Sequence, residues 1–291
     1  MTNIKKLKIG IFDSGLGGLS VYKSLCKSFR KQISIVYLGD LAHLPYGEKS
    51  TQSIIRYSDK ICTFLLEKKV DIIIIACNSA SSVASKYLIS KYYQKVPIIE
   101  TINPSVRQVY SNIKIIKDNS YSVGIIGTET TVQSQAYDNA LQSYNKHTKI
   151  NLKIESIACP LFVPLVEEGW ENTEIAHQIA TKYLSQFKNK LDTIILACTH
   201  YPILFKTLDF VFQKLGNKNL QFINSGDAIA QELYSNNNLF KIVPKLELER
   251  NKSIYIEPND EFYVTDTPYH FHDLANKFLG YKINNIELIA L

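Results

Sequence analysis

Residues 70–82 read VDIIIIACNSASS, and residues 191–202 answer with LDTIILACTHYP. Each stretch has an Asp six residues ahead of a cysteine, then an aliphatic run, then Ala-Cys and a short polar turn. A brief Ile/Leu run bounded by polar residues, with helical spacing after it, reads as a buried parallel strand feeding a helix. Sheets of that kind bind ligands at the carboxyl ends of their strands, where the turns lie. Cys77 and Cys198 therefore both fall where chemistry is expected. Two like-placed thiols in two like-built halves predict one pocket with a thiol on either side.

Outward from these stretches the chain alternates strand and helix. A strand at 8–12 runs into DSGLGG (13–18) and helical spacing over 19–29. Strands are expected at 34–38 and 96–99, and helices over 51–67 and 79–92. The pattern restarts at 122–127, where SVGIIG echoes KIGIFD at 8–13. A hydroxyl-rich turn follows (Thr128, Thr130, Thr131, Ser134), with a helix to about residue 144. A strand at 152–158, a loop over 162–170, a helix at 171–188 and a helix over 203–214 complete the second half. The repeat predicts an α/β fold of two similar doubly wound parallel-sheet domains, related by a pseudo-twofold, with the active site in the cleft between them. The tail adds short strands at 221–223 and 262–265, a helix at 269–279 and a polar excursion over 235–260. The expected division is 1–102 with 216–291 as the first domain, completed by the C-terminal segment and carrying Cys77, and 103–215 as the second, carrying Cys198.

Bulk properties narrow the function. At 291 residues, 45% hydrophobic and 21% charged, the chain is ordinary for a globular protein of about two domains. The net charge of +6 is spread along the chain with no basic run, which argues against nucleic acid and agrees with a small acidic substrate. No apolar run is long enough to span a bilayer, and residues 1–10 lack the apolar region of a secretory signal. Five cysteines, odd in number and widely spaced, predict reduced thiols in the cytoplasm, with no metal spacing among them.

Two matched thiols suit proton transfer better than other thiol chemistry. A nucleophile needs one Cys with a base, and redox work needs two close together. Inverting a stereocentre by moving a proton needs an acid and a base on opposite faces of one carbon. Near-equal roles in the two directions call for near-equal groups. A free Cys near pKa 8.5 is only about 3% ionised at pH 7, so helpers are expected. A helix N-terminus after each strand is one. Asp13 beside Cys77, read as a hydrogen-bond partner, and His200 and Glu167 beside Cys198 are the others, with Glu168 an alternative to Glu167. Ser14, Asn78, Ser79, Thr128, Thr131 and Thr199 offer short polar groups and amides for carboxylates and an ammonium. The loop Pro45-Tyr46-Gly47 is placed at the same pocket. The glycine loop at 15–18 lacks both the Rossmann and the Walker spacing. Cys26, Cys62 and Cys159 read as small buried hydrophobes, and Asp71 and Asp192 as structural.

With these residues in view, the chain resembles the bacterial glutamate racemases of the cofactor-independent aspartate/glutamate racemase superfamily. The matching segments are FDSGLGG (12–18), LGDLAHLPYG (38–47), ACNSAS (76–81), GTETTVQSQAY (127–137), CPLFVPLVEEG (159–169), ACTHYP (197–202) and SGDAIA (225–230). Ser79 stands where that family commonly has Thr, and Ala197 where it has Gly. The resemblance implies interconversion of L- and D-glutamate by two-base proton transfer without a cofactor, supplying D-glutamate for peptidoglycan. It implies Cys77 and Cys198 as the catalytic pair, assisted by Asp13, Glu167 and His200. The implied substrate contacts are Asp13-Ser14, Tyr46-Gly47, Asn78-Ser79 and Thr199-His200, and the implied assembly is a homodimer. The competing readings are an aspartate racemase or another two-cysteine racemase, and a catalytically silent amino-acid-binding protein on the same fold.

Overall fold

A computed structural model of the chain describes residues 6–113, 120–146, 148, 150–235, 246–248, 259–267, 271–280, 282–283 and 285–291. The first half runs β1 (Leu7–Asp13), α1 (Leu19–Phe29), β2 (Ile33–Gly39), α2 (Thr51–Glu67), β3 (Ile72–Ile75), α3 (Asn78–Tyr92), β4 (Ile98–Ile99) and α4 (Ile102–Asn112). The second runs β5 (Ser120–Gly127), α5 (Glu129–Gln133), α6 (Ala136–Asn145), β6 (Asn151–Ala158), α7 (Phe162–Glu167), α8 (Glu174–Leu184), β7 (Thr193–Ala197), α9 (Phe205–Lys214) and β8 (Gln221–Asn224). The tail adds α10 (Ser225–Ser235), β9 (Glu261–Val264), α11 (Phe271–Leu279) and β10 (Glu287–Leu288).

The strands form two parallel sheets, ordered β10-β9-β2-β1-β3-β4 and β6-β5-β7-β8. The four strands β2-β1-β3-β4 repeat as β6-β5-β7-β8, so the two cysteine strands occupy equivalent central places. Both are wholly buried aliphatic runs, as strands covered on both faces must be. The two early aspartates have equivalent structural work. Asp71 Oδ2 accepts Lys8 N–H and Asp192 Oδ2 accepts Ser122 N–H, each at 2.8 Å, tying each cysteine strand to the start of its neighbour.

Several expectations change. The strand near 221–223 pairs with β7 in the second sheet, not with the first half to which the tail was assigned. The tail returns to the first sheet only from β9, which pairs with β2. The helix expected to run to residue 144 is broken at Gln135, whose φ of 53° starts α6 on a new axis. The loop over 162–170 contains α7. Most of the polar excursion at 235–260, and residues 269–270, lie outside the described residues. Among the described residues, no helix is long and apolar enough to cross a membrane.

Candidate active site

In the first half, β1 ends at Asp13 and β3 delivers Cys77, at the place where connections leave the sheet in opposite directions. Cys77 is the N-cap of α3: its Sγ accepts Ala80 N–H at 3.4 Å and donates to Ser14 Oγ at 3.6 Å. Burial, then the charge of Asp13, pushes the Cys77 thiol up to about 12, so it rests protonated. The Asp13 carboxyl is fully buried, and burial raises its pKa against the opposing pull of His200 and of its hydrogen bonds. Those bonds come from Gly15 N–H at 3.0 Å, Gly18 N–H and Thr199 Oγ1 at 3.4 Å. In this structure Asp13 acts on Cys77 through charge, and Ser14 supplies the hydroxyl.

Gly15, Gly17 and Gly18 keep ordinary backbone angles. A Cβ on Gly17 would collide with Thr199 Oγ1 and with His200 Nδ1, so this glycine lets the turn of the second half close on α1. Gly47 does the same towards Thr128. Tyr46 is wholly buried, its hydroxyl donating to Asp40 Oδ2 at 2.5 Å; Asp40 also accepts Thr265 Oγ1 and contacts His43 Nδ1, both at 2.8 Å. Asp40 therefore holds the Pro45-Tyr46-Gly47 loop in place.

In the second half, Cys198 follows β7, but no α-helix begins there. A short 3₁₀ turn (Tyr201–Leu204) intervenes before α9, so the helix-terminus helper expected for both thiols exists only at Cys77. His200 takes that place. Its imidazole is buried, which alone would lower its pKa, yet hydrogen bonds to Cys198 and Glu167, and their charges, raise it to about 10. His200 Nε2 lies 3.2 Å from Glu167 Oε1, the last residue of α7. Glu168, one residue on, is exposed.

The two sets meet in one cleft, lined by Ser14, Pro45, Tyr46, Gly47, Cys77, Asn78, Ser79, Thr128, Glu167, Cys198, Thr199 and His200 from the expected residues, and by Gly15, Leu44 and Val163 in addition. Its empty space, open mouth included, is about 440 Å³. Among the described residues, the lining has no Lys or Arg. Asp13 and Thr131 stand one layer back: Asp13 behind Thr199, Thr131 behind Thr128, whose Oγ1 is 3.0 Å from that of Thr131 and 3.0 Å from Ser79 Oγ. Leu44 and Val163, both inside the quoted motifs, carry no chemical signal in the sequence because their side chains are apolar. Among the described residues, no group of three or more His, Cys, Asp or Glu is placed to hold a metal ion.

A doubled parallel α/β fold whose two equivalent cysteine strands open on one polar cleft defines a small-molecule enzyme with paired thiols. A family profile described as Asp/Glu/Hydantoin racemase matches residues 9–233. The chain belongs to that family, and so is a racemase, an isomerase. It is 35% identical over 284 residues to the glutamate racemase of Geobacter metallireducens, covering 97% of this chain and 96% of that one. It is 39% identical over 288 residues to that of a Sulfurihydrogenibium species, with 98% and 99% covered. Among solved structures it is similar to the glutamate racemase of Francisella tularensis in complex with D-glutamate, with a TM-score of 0.80, 32% identity and 97% of each chain covered. A glutamate racemase isoform of Bacillus anthracis matches with a TM-score of 0.80 at 28% identity, covering 99% of each chain.

Proposed function

We propose that the protein interconverts L- and D-glutamate by proton transfer between Cys77 and Cys198 across one α-carbon, without a cofactor. The observation that carries this reading is that both thiols, from equivalent strand ends, line a single cleft. In the direction from L-glutamate, Cys198 takes the α-proton and Cys77, held as a thiol, gives its proton to the opposite face. The reverse direction exchanges the roles. His200, paired with Glu167, takes or returns the proton of Cys198, and Ser14 serves Cys77. Ser14, Asn78, Ser79, Thr128 and Thr199 bind the carboxylates with neutral donors, and the carboxyl groups of Asp13 and Glu167 favour the ammonium. The product D-glutamate goes to peptidoglycan synthesis in the cytoplasm, and the working form is a homodimer.

The test is proton NMR of the purified protein with L-glutamate in deuterated water, with a parallel assay for D-glutamate. Loss of the α-proton with inversion, abolished in Cys77→Ser and Cys198→Ser, is expected. Exchange with aspartate but not glutamate would transfer the mechanism to the other substrate. Exchange of L-glutamate that survives Cys198→Ser but not Cys77→Ser would reverse the assignment of the two thiols.

A further inference from the structure

Two of the quoted motifs, GTETTVQSQAY and SGDAIA, end or begin on residues to which the site gives no chemistry: Tyr137 and Ser225. Both are buried, and both reach Asn78. Asn78 is the first residue of α3, is 2% exposed and lines the cleft. Its Oδ1 accepts Tyr137 Oη–H at 2.6 Å and Ser225 Oγ–H at 3.2 Å. Its Nδ2 is buried and, among the described residues, has no hydrogen-bond partner.

We propose that Tyr137 and Ser225 are positioning residues that lock the Asn78 amide with its oxygen outward from the cleft and its Nδ2 turned to a substrate carboxylate. The inference rests on the glutamate reading above. An amide oxygen has two lone pairs, and here both are taken. The Tyr137 contact has the length of an O–H···O bond and is shorter than N–H···O bonds run, which places oxygen on that side. An amide NH₂ can only donate, so its missing partner is an acceptor: carboxylate fits and ammonium does not. The two hydroxyls arrive by separate routes. The left-handed Gln135 turns α6 so that Tyr137 crosses from the second half, and β8 ends directly before Ser225.

The experiment measures KM, kcat, D-glutamate affinity and thermal stability for wild type, Tyr137→Phe, Ser225→Ala, Ser225→Thr, Asn78→Ala and the Tyr137→Phe/Asn78→Ala pair. Tyr137→Phe should raise KM and Kd about tenfold and Ser225→Ala severalfold, each with a smaller change in kcat. Ser225→Thr should restore binding. In the Asn78→Ala background, Tyr137→Phe should have no further effect on KM, which a merely structural hydroxyl would not predict. An active wild type whose KM moves in neither single variant, or fully additive losses in the pair, would overturn the inference. A wild type that does not turn over glutamate would instead overturn the function reading, and the glutamate carboxylate with it.

Discussion

At the residue scale the site is asymmetric where the chain is symmetric. The two Ala-Cys strand ends are alike, but Cys77 caps a helix and Cys198 faces an imidazole paired with a carboxylate. The position of each thiol was legible, because an aliphatic run ending in Cys before a polar turn is a local pattern. On the Cys198 side the partners were legible too: His200 is two residues away, and Glu167, which the structure sets against His200, stands in its own polar motif. On the Cys77 side the Ser14 hydroxyl was read only as a binding group, because a contact 63 residues apart leaves no local record. Two predictions belong here. Glu167→Gln should lower turnover about a hundredfold by weakening the His200 shuttle, while the exposed Glu168→Gln should leave it unchanged; steady-state kinetics of both variants decide the matter. The second concerns pH. His200 is raised from its ordinary 6.5 to about 10, so folding favours its protonated form. That contribution is complete below about pH 6.5 and is lost as pH climbs through about 10. Denaturant unfolding at several pH values should show stability falling across this window in wild type, with a shallower fall in His200→Gln.

At the scale of elements, the closure of the cleft depends on turns without side chains. The DSGLGG turn invites a phosphate-cradle reading, but its spacing rejects that, and its glycines work by steric absence. Gly17 lies two residues ahead of α1, under the Thr199-His200 turn, so a methyl there has nowhere to go unless the halves part. Gly17→Ala should cost about 1–3 kcal/mol of stability and remove most activity, measured by thermal unfolding and the exchange assay together. Retained activity with unchanged stability would show that the turn can give way. Elements with regular hydrophobic periodicity, such as α2 and the cysteine strands, were readable in advance. The short α7 and the break at Gln135 were not: one is six residues long in a Pro-containing segment, and the other is a left-handed residue with no glycine to announce it.

At the scale of the molecule, the tail is more than an edge to the first sheet. Strand β9 joins β2 with partners such as Val36 and Glu261, a pairing 225 residues apart that local sequence pattern barely signals. Between β9 and β10 the chain sends α11 across to the second half. There Lys277 Nζ donates to Val166 O at 2.9 Å and to Glu171 Oε2 at 2.6 Å. Phe278 packs edge-on against the His200 ring, centroids 5.3 Å apart. A cation at the C-terminal end of α7 satisfies a terminal carbonyl and suits the helix dipole, and that end carries Glu167. The tail therefore links the frame of the first half to the His200–Glu167 pair of the second. Lys277→Met should keep the aliphatic stem and remove the charge, costing about 1–2 kcal/mol and reducing turnover severalfold. Hydrogen exchange should speed up in α7 and the Thr199-His200 turn while β1, β2 and β3 stay protected. If exchange in α7 and the turnover rate are both unchanged, the tail holds only its own sheet, and Glu167 is positioned by the second half alone.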